Sequence, residues 1–212
     1  MDDSQHPCRL YLVIPPDAGE TIARSLEPAL DAGDVACVAL RARSDGTADR
    51  ALAERLCAMT QNRDTEFLIE ADISLAGSVG SDGVHIAGDE QLYATARASL
   101  GEEAIIGVAC PPERHITLTL AEHGADYVAI DPGHADNEQI GEREREFLSW
   151  WAEIVEVPVV AWGAASVAEA TALARAGADF VAVEGAVWNS EEGPANAVVA
   201  LNAALGNRRS AA

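Results

Sequence analysis

The chain has 212 residues, 49 % of them hydrophobic, and a formal net charge of -21. That is enough apolar material for one full core and too much for a disordered chain. The charge is spread along the sequence, and such a field repels nucleic acid and anionic lipid, so neither is expected as a partner. All 14 basic residues are Arg and none is Lys. The absence of lysine excludes a Schiff-base aldolase, pyridoxal-phosphate attachment and a Walker-type phosphate loop.

The elements alternate strand and helix. Leu10 to Ile14 reads as a first strand, stopped by Pro15-Pro16, with a helix from about Thr21 to Leu30. A second strand over Ala36 to Leu40 leads to a helix from Ala48 to Met59 with apolar residues at helical spacing. Glu66 to Ile69 is a third strand, followed by a short helix near Ile73 to Ser78. Gly83 to Ile86 is the fourth, with a helix from Glu90 to Leu100. Ala104 to Ala109 precedes a helix that begins after Pro111-Pro112, where proline suits a first turn. Tyr127 to Ile130 is a sixth strand, and a polar loop from Asp131 to Gly141 separates it from a helix over Glu142 to Ile154. Val157 to Trp162 ends at Gly163, and Ser166 caps a helix through Arg175. Phe180 to Val183 is the eighth strand, with a short turn at Gly185 to Trp188 and a last helix over Pro194 to Leu205.

A recurring phrase organises these units. Gly33-Asp34, Gly80-Ser81-Asp82, Gly124-Ala125-Asp126 and Gly177-Ala178-Asp179 each follow a helix and open a short apolar run, roughly every fifty residues. The glycine is expected to stop each helix in a left-handed conformation. The spacing implies eight strand-helix units and a closed parallel (β/α)8 TIM barrel over residues 1–206, with a frayed tail at 207–212. An open doubly wound sheet is the competing architecture; the regular recurrence on even strands favours closure.

Ligands of such a barrel bind at the carboxyl ends of the strands. The residues there are Arg41 and Arg43; Glu70 and Asp72; His85, Asp89 and Glu90; Cys110; Asp131, His134 and Asp136; Gly163; and Glu184 with Gly185. This rim is acidic. Its carboxylates suit a divalent cation or a cationic substrate, and most are equally well read as solvated loop residues. His85 follows Gly83 in strand four and titrates near neutral pH, so it is a proton carrier or a buried structural histidine. His134 is a mobile acid or base, or an exposed loop residue. Gly163 and Gly185 follow strands seven and eight, where barrels offer backbone N–H groups to phosphate. His115 and His123 read as surface, and Trp150-Trp151 as packing against the barrel or a second subunit. The isolated Cys8, Cys37, Cys57 and Cys110 read as buried thiols. The acidic start and the lack of a long apolar run suggest a cytoplasmic protein that takes a small-molecule ligand, with a homo-oligomer left open.

The chain resembles the thiamine phosphate synthase family, which includes thiazole tautomerases. The resemblance rests on Leu10-Tyr11-Leu12-Val13, Asp82-Gly83-Val84-His85-Ile86, Ala125-Asp126-Tyr127-Val128 with Pro132, Pro158 to Gly163, and Ala176 to Val183. It implies a barrel that joins a pyrimidine diphosphate to a thiazole phosphate, with Mg²⁺ assisting departure of pyrophosphate. Carried over by position, it implies substrate contacts at Arg41, Arg43, Gly163 and Gly185 and metal ligation at Asp72, Asp89 and Glu90; the rim reading itself adds Asp131 as a substrate contact and His85, Glu70 or His134 as proton carriers.

Several positions depart from the family pattern. Its Gln-Leu-Arg-x-Lys stands as Ala39-Leu40-Arg41-Ala42-Arg43, and its Asn-Asp after strand three as Glu70-Ala71, with Asp72 one place late. Its Gln-x-Asp reads Gly88-Asp89-Glu90, and its Thr-x-Thr-Lys reads Asp136-Asn137-Glu138-Gln139. The Gly-Gly after strand seven is Gly163-Ala164, and the serine after strand eight is Gly185, preceded by Glu184. Anion-binding groups have given way to carboxylates. The expectation is a barrel tied to thiamine biosynthesis with a degraded diphosphate site, open to a tautomerase-like or side-branch reaction. The alternative is a non-catalytic binding or regulatory relative. An unrelated phosphosugar isomerase fits the acidic rim poorly.

Overall fold

Residues 7–130 and 138–206 are described by the structure, a computed structural model. Eight parallel strands close into a barrel in sequence order: β1 (Arg9–Ile14), β2 (Val35–Leu40), β3 (Glu66–Glu70), β4 (Gly83–Ala87), β5 (Ile105–Cys110), β6 (Tyr127–Ile130), β7 (Val159–Ala164) and β8 (Phe180–Val183). β1 pairs with both β2 and β8, so closure leaves no free sheet edge. The helices between them are α1 (Glu20–Ala32), α2 (Arg50–Gln61), α3 (Ile73–Val79), α4 (Glu90–Leu100), α5 (Arg114–Glu122), α6 (Glu138–Ile154), α7 (Val167–Arg175) and α8 (Gly185–Trp188), with α9 (Pro194–Ala204) at the end. The tail at 207–212 lies outside the described residues, as do Asp131, Pro132, His134, Asp136 and Asn137.

Alternate strand residues serve two separate apolar regions. Leu10, Leu12, Val38, Leu40, Phe67, Ile69, Val84 and Ile86 point outward and pack beneath the helices. Tyr11, Val13, Cys37, Ala39, Leu68, Tyr127, Ala129, Val160 and Ala182 fill the lumen. With both faces apolar, each strand is buried along its length, as parallel sheets require.

The recurring aspartates fasten the amino-terminal end. Asp82, Asp126 and Asp179 precede even strands, and each exchanges two hydrogen bonds with a residue at the start of the preceding odd strand. Phe67, Ile106 and Val159 donate their backbone N–H to the carboxylates at 2.7, 2.8 and 2.8 Å. Each aspartate's own N–H donates to the same residue's carbonyl at 2.9 to 3.0 Å. Asp34, in the first copy, instead takes the Arg9 guanidinium of β1. All four copies thus tie an even strand to its odd neighbour.

Several expectations need correction. Gly33 is extended at φ -171° rather than left-handed; its constraint is space, because a Cβ there would lie 2.7 Å from Asn202 Nδ2. The other three glycines do take positive φ: 70° at Gly80, 97° at Gly124 and 110° at Gly177. α6 begins at Glu138, so it takes in the last residues of the expected polar loop, Glu138 to Gly141. β7 starts at Val159 and runs through Gly163 to Ala164, because Gly163 at φ 88° forms a bulge against β8 that lets the strand continue. α5 begins after Pro111 and Pro112 as expected, with Glu113 at its amino-terminal boundary.

Candidate functional site

The carboxyl-terminal rim centres on Arg41, just after β2. Its Nη1 donates to Glu184 Oε2 at 3.1 Å, and its Nε lies 3.5 Å from Glu70 Oε2. Glu70 ends β3, and its carboxylate also accepts the Ala42 backbone N–H at 3.0 Å. One guanidinium is therefore held between carboxylates from two different strand ends. Burial alone would lower the Arg41 pKa; the bonds to Glu184 and Glu70 outweigh it and raise it.

Beneath this clasp lies an aromatic floor. His85 is the register partner of Glu70 and only 3 % exposed. Its ring stacks on Trp162 of β7 at 4.3 Å between centroids and 6° between planes. Its Nδ1 lies 2.9 Å from Tyr127 Oη, and Tyr127 Oη lies 3.0 Å from Tyr11 Oη. Burial, with a smaller contribution from Arg41, pushes the His85 pKa down to about 3, so the imidazole is neutral near pH 7. Burial also raises both tyrosines well above their ordinary range, so they remain phenols. The geometry makes His85 a buried, hydrogen-bonded histidine of the lumen in register with Glu70 of the rim.

The other rim residues diverge from this centre. Arg43 turns to Asp49, 3.4 Å away and exposed. Asp72 caps α3 by accepting the Leu75 N–H at 2.9 Å, and Asp89 caps α4 by accepting the Leu92 N–H at 2.7 Å. Glu90 points along α4 to His123, at 3.8 Å. Gly163 faces open space, and Gly185 begins the single turn of α8, whose Trp188 Nε1 donates to the Val13 carbonyl at 2.6 Å. Cys110 is buried, with its thiol pKa pushed up to about 11 by burial. Among the described residues no three or more His, Cys, Asp or Glu side chains converge to hold a metal ion.

The structure thus gathers Arg41, Glu70 and His85. It joins to them Glu184, already counted on the rim, and adds Trp162, Tyr127 and Tyr11, which sequence reasoning left outside the site. Strand parity carried a signal for the three aromatics: Tyr11, Tyr127 and Trp162 sit on inward positions of their strands, as His85 does.

Comparisons with known proteins agree with this architecture. A family model described as thiamine monophosphate synthase matches residues 10–187. A thiamine-phosphate synthase of Rhodospirillum centenum is 44 % identical over 200 residues, covering 92 % of this chain and 96 % of that protein. One from Hyphomonas neptunium is 40 % identical over 215 residues, covering 96 % of this chain and 97 % of the other. Among solved structures, a thiamine phosphate pyrophosphorylase of Pyrococcus furiosus superposes with a TM-score of 0.75 at 22 % identity, covering 94 % of this chain and 96 % of its own. At that identity the likeness speaks for the fold.

Proposed function

The chain belongs to the thiamine monophosphate synthase family, and on that premise we propose that its rim binds a thiamine precursor with a weakened grip on diphosphate. Coupling of a pyrimidine diphosphate to a thiazole phosphate, the activity that its relatives' names imply for them, is then slow in this chain. A proton shift of the tautomerase type is the chemistry that the rim retains, because it needs one positioned acid–base group and no diphosphate site.

The observation that carries this reading is the clasp of Glu70, Arg41 and Glu184. An arriving phosphate must compete with two carboxylates for one guanidinium, and it meets their repulsion as it does so. Glu70 is the proton carrier in this scheme; it is half-buried, beside the entry to the lumen, and in register with His85. His134 and Asp131 keep their proposed roles as a loop acid or base and a substrate contact, and Gly163 and Gly185 theirs as backbone contacts to a phosphate. Arg43 is available to a ligand only by leaving Asp49.

Mg²⁺ fits part of the expected donor set. Asp72 and Asp89 begin helices after neighbouring strands, and the second oxygen of each makes no hydrogen bond among the described residues. That suits an ion held by one or two carboxylates, water and the substrate's own phosphates, the usual Mg²⁺ arrangement, and not an all-protein cage. Glu90, turned to His123, does not fit. When bound, Mg²⁺ would neutralise diphosphate charge and ease its departure.

The near-complete burial of His85 favours a second reading, a binding or regulatory relative without turnover. Purified protein should be assayed for thiamine phosphate formation from the two precursors with Mg²⁺, and separately for conversion of the thiazole tautomer phosphate. The proposal expects slow coupling and tautomer conversion that falls at least tenfold in Glu70→Gln. Coupling as fast as that of the Rhodospirillum centenum relative would refute the weakened diphosphate grip. Tautomer conversion no faster than in a His85→Ala, Glu70→Gln double variant, with precursor-induced thermal stabilisation intact, would select the second reading.

A further inference from the structure

The lumen carries a line of polar groups that a purely apolar barrel filling would not need. Cys37 of β2 lies against the Tyr11 hydroxyl, Tyr11 Oη is 3.0 Å from Tyr127 Oη, and Tyr127 Oη is 2.9 Å from His85 Nδ1. All four residues are buried, at 8 %, 2 %, 7 % and 3 % exposure. The line ends at the rim, where His85 Nε2 meets no partner among the described residues. Glu70 of the rim is the register partner of His85, and Arg41 lies near enough to act on the ring, so the ring belongs to the rim end of the line.

Protons can be arranged along this line in two ways. In one, Cys37 donates to Tyr11, Tyr11 to Tyr127, and Tyr127 to His85 Nδ1; the ring proton then sits on Nε2 and faces outward. In the other, Nδ1 carries the proton and donates to Tyr127, Tyr127 to Tyr11, and Tyr11 to the sulfur. The second arrangement ends on a weak acceptor and leaves the Cys37 S–H unused in a buried site. The first gives both tyrosine hydroxyls a strong acceptor and leaves only the outward-facing Nε2–H for the rim. Buried donors are rarely left unmade, so the first arrangement is favoured. Burial raises the pKa of Cys37 and of both tyrosines, which keeps all three protonated as this arrangement requires.

We infer that Cys37, Tyr11 and Tyr127 are positioning residues that hold His85 as a neutral imidazole with its proton on Nε2. His85 then presents a fixed hydrogen-bond donor to the rim, suited to a ring nitrogen, carbonyl or phosphate-ester oxygen of the ligand. It selects the ligand's orientation and does not act as the base, a task left to Glu70. The inference rests on the reading that the rim takes a ligand, but the tautomer can be measured without one, so failure of either idea can be told from failure of the other.

The test is nitrogen NMR on ligand-free protein labelled with ¹⁵N in histidine, with His85 signals assigned by their loss in His85→Gln. Between about pH 6 and pH 8 the expected spectrum shows a protonated Nε2 and a bare Nδ1. A protonated Nδ1 with a bare Nε2 would overturn the inference. Tyr127→Phe removes the donor to Nδ1 and should give a mixture of tautomers; an unchanged spectrum would refute the positioning role. Should that variant fail to fold, Cys37→Ser, which supplies a stronger first donor, should keep the single Nε2–H form. A switch to Nδ1–H in Cys37→Ser would sink the proposed direction of the chain.

Discussion

Titrating the protein from about pH 7 to about pH 5 bears directly on His85 and gives a stability change that can be worked from the structure. The ring is 3 % exposed, and its pKa is pushed down to about 3, chiefly by burial and secondarily by Arg41. An unfolded histidine titrates near 6.5, so between those values the unfolded chain binds a proton that the folded chain refuses. The stabilising contribution is thus complete above about pH 6.5 and lost as the pH falls toward 3. At about 1.4 kcal/mol per pH unit, some 2 kcal/mol should be gone by pH 5 and roughly 4 kcal/mol by pH 3. Urea titrations of wild type and His85→Gln at about pH 7, 6 and 5 isolate the effect, because carboxylates common to both proteins cancel in the difference. Wild type should lose about 2 kcal/mol more than the variant over this range. Parallel losses would refute the account of His85 as a neutral, buried ring.

Three further outcomes follow from the geometry. Glu184→Gln removes a negative charge that an anion at Arg41 would meet; two unit charges about 4 Å apart interact by about 4 kcal/mol at an effective dielectric of 20, and partial exposure reduces this to about 1.4 kcal/mol. Calorimetry should then show pyrophosphate binding about tenfold tighter, and an unchanged affinity would contradict the clasp argument. Gly107→Ala should cost more than about 3 kcal/mol, read as a drop of at least about 6 °C in Tm, because a Cβ at Gly107 would overlap the Tyr127 ring. Ala71 sits at φ 61°, a conformation that glycine adopts freely, so Ala71→Gly should stabilise the barrel by about 1 kcal/mol in chemical denaturation, and a loss of stability would count against it.

The fold was largely legible because its punctuation is chemical. Proline stops, serine and aspartate caps and the repeated Gly-Asp phrase mark where elements change, and each has a direct physical effect on the backbone. The aspartate's part in the repeat was missed, since a carboxylate that accepts a neighbouring strand's N–H depends on which strands are adjacent. The site was less legible for a similar reason. Arg41, Glu70 and His85 stood out as polar residues at strand ends, but their grouping with Glu184 depends on closure between β1 and β8. That Asp72 and Asp89 also cap α3 and α4 was not legible, because a free carboxylate and a capping carboxylate have the same sequence signature. Trp162 and Tyr127 gave no sign of a site because strands that are apolar on both faces hide their inward parity.

The aspartate pairings at the amino-terminal end have a consequence for how such a protein can change. Phe67, Ile106 and Val159 each hold their strand in place through two bonds made far from the rim. Alignment of the staves is therefore set at the base of the cask. Substituting Arg41, Glu70 or Glu184 at the mouth leaves those fastenings intact. The mouth can consequently be re-equipped, by descent or by an engineer, for ligands of opposite charge without renegotiating the shape that carries it.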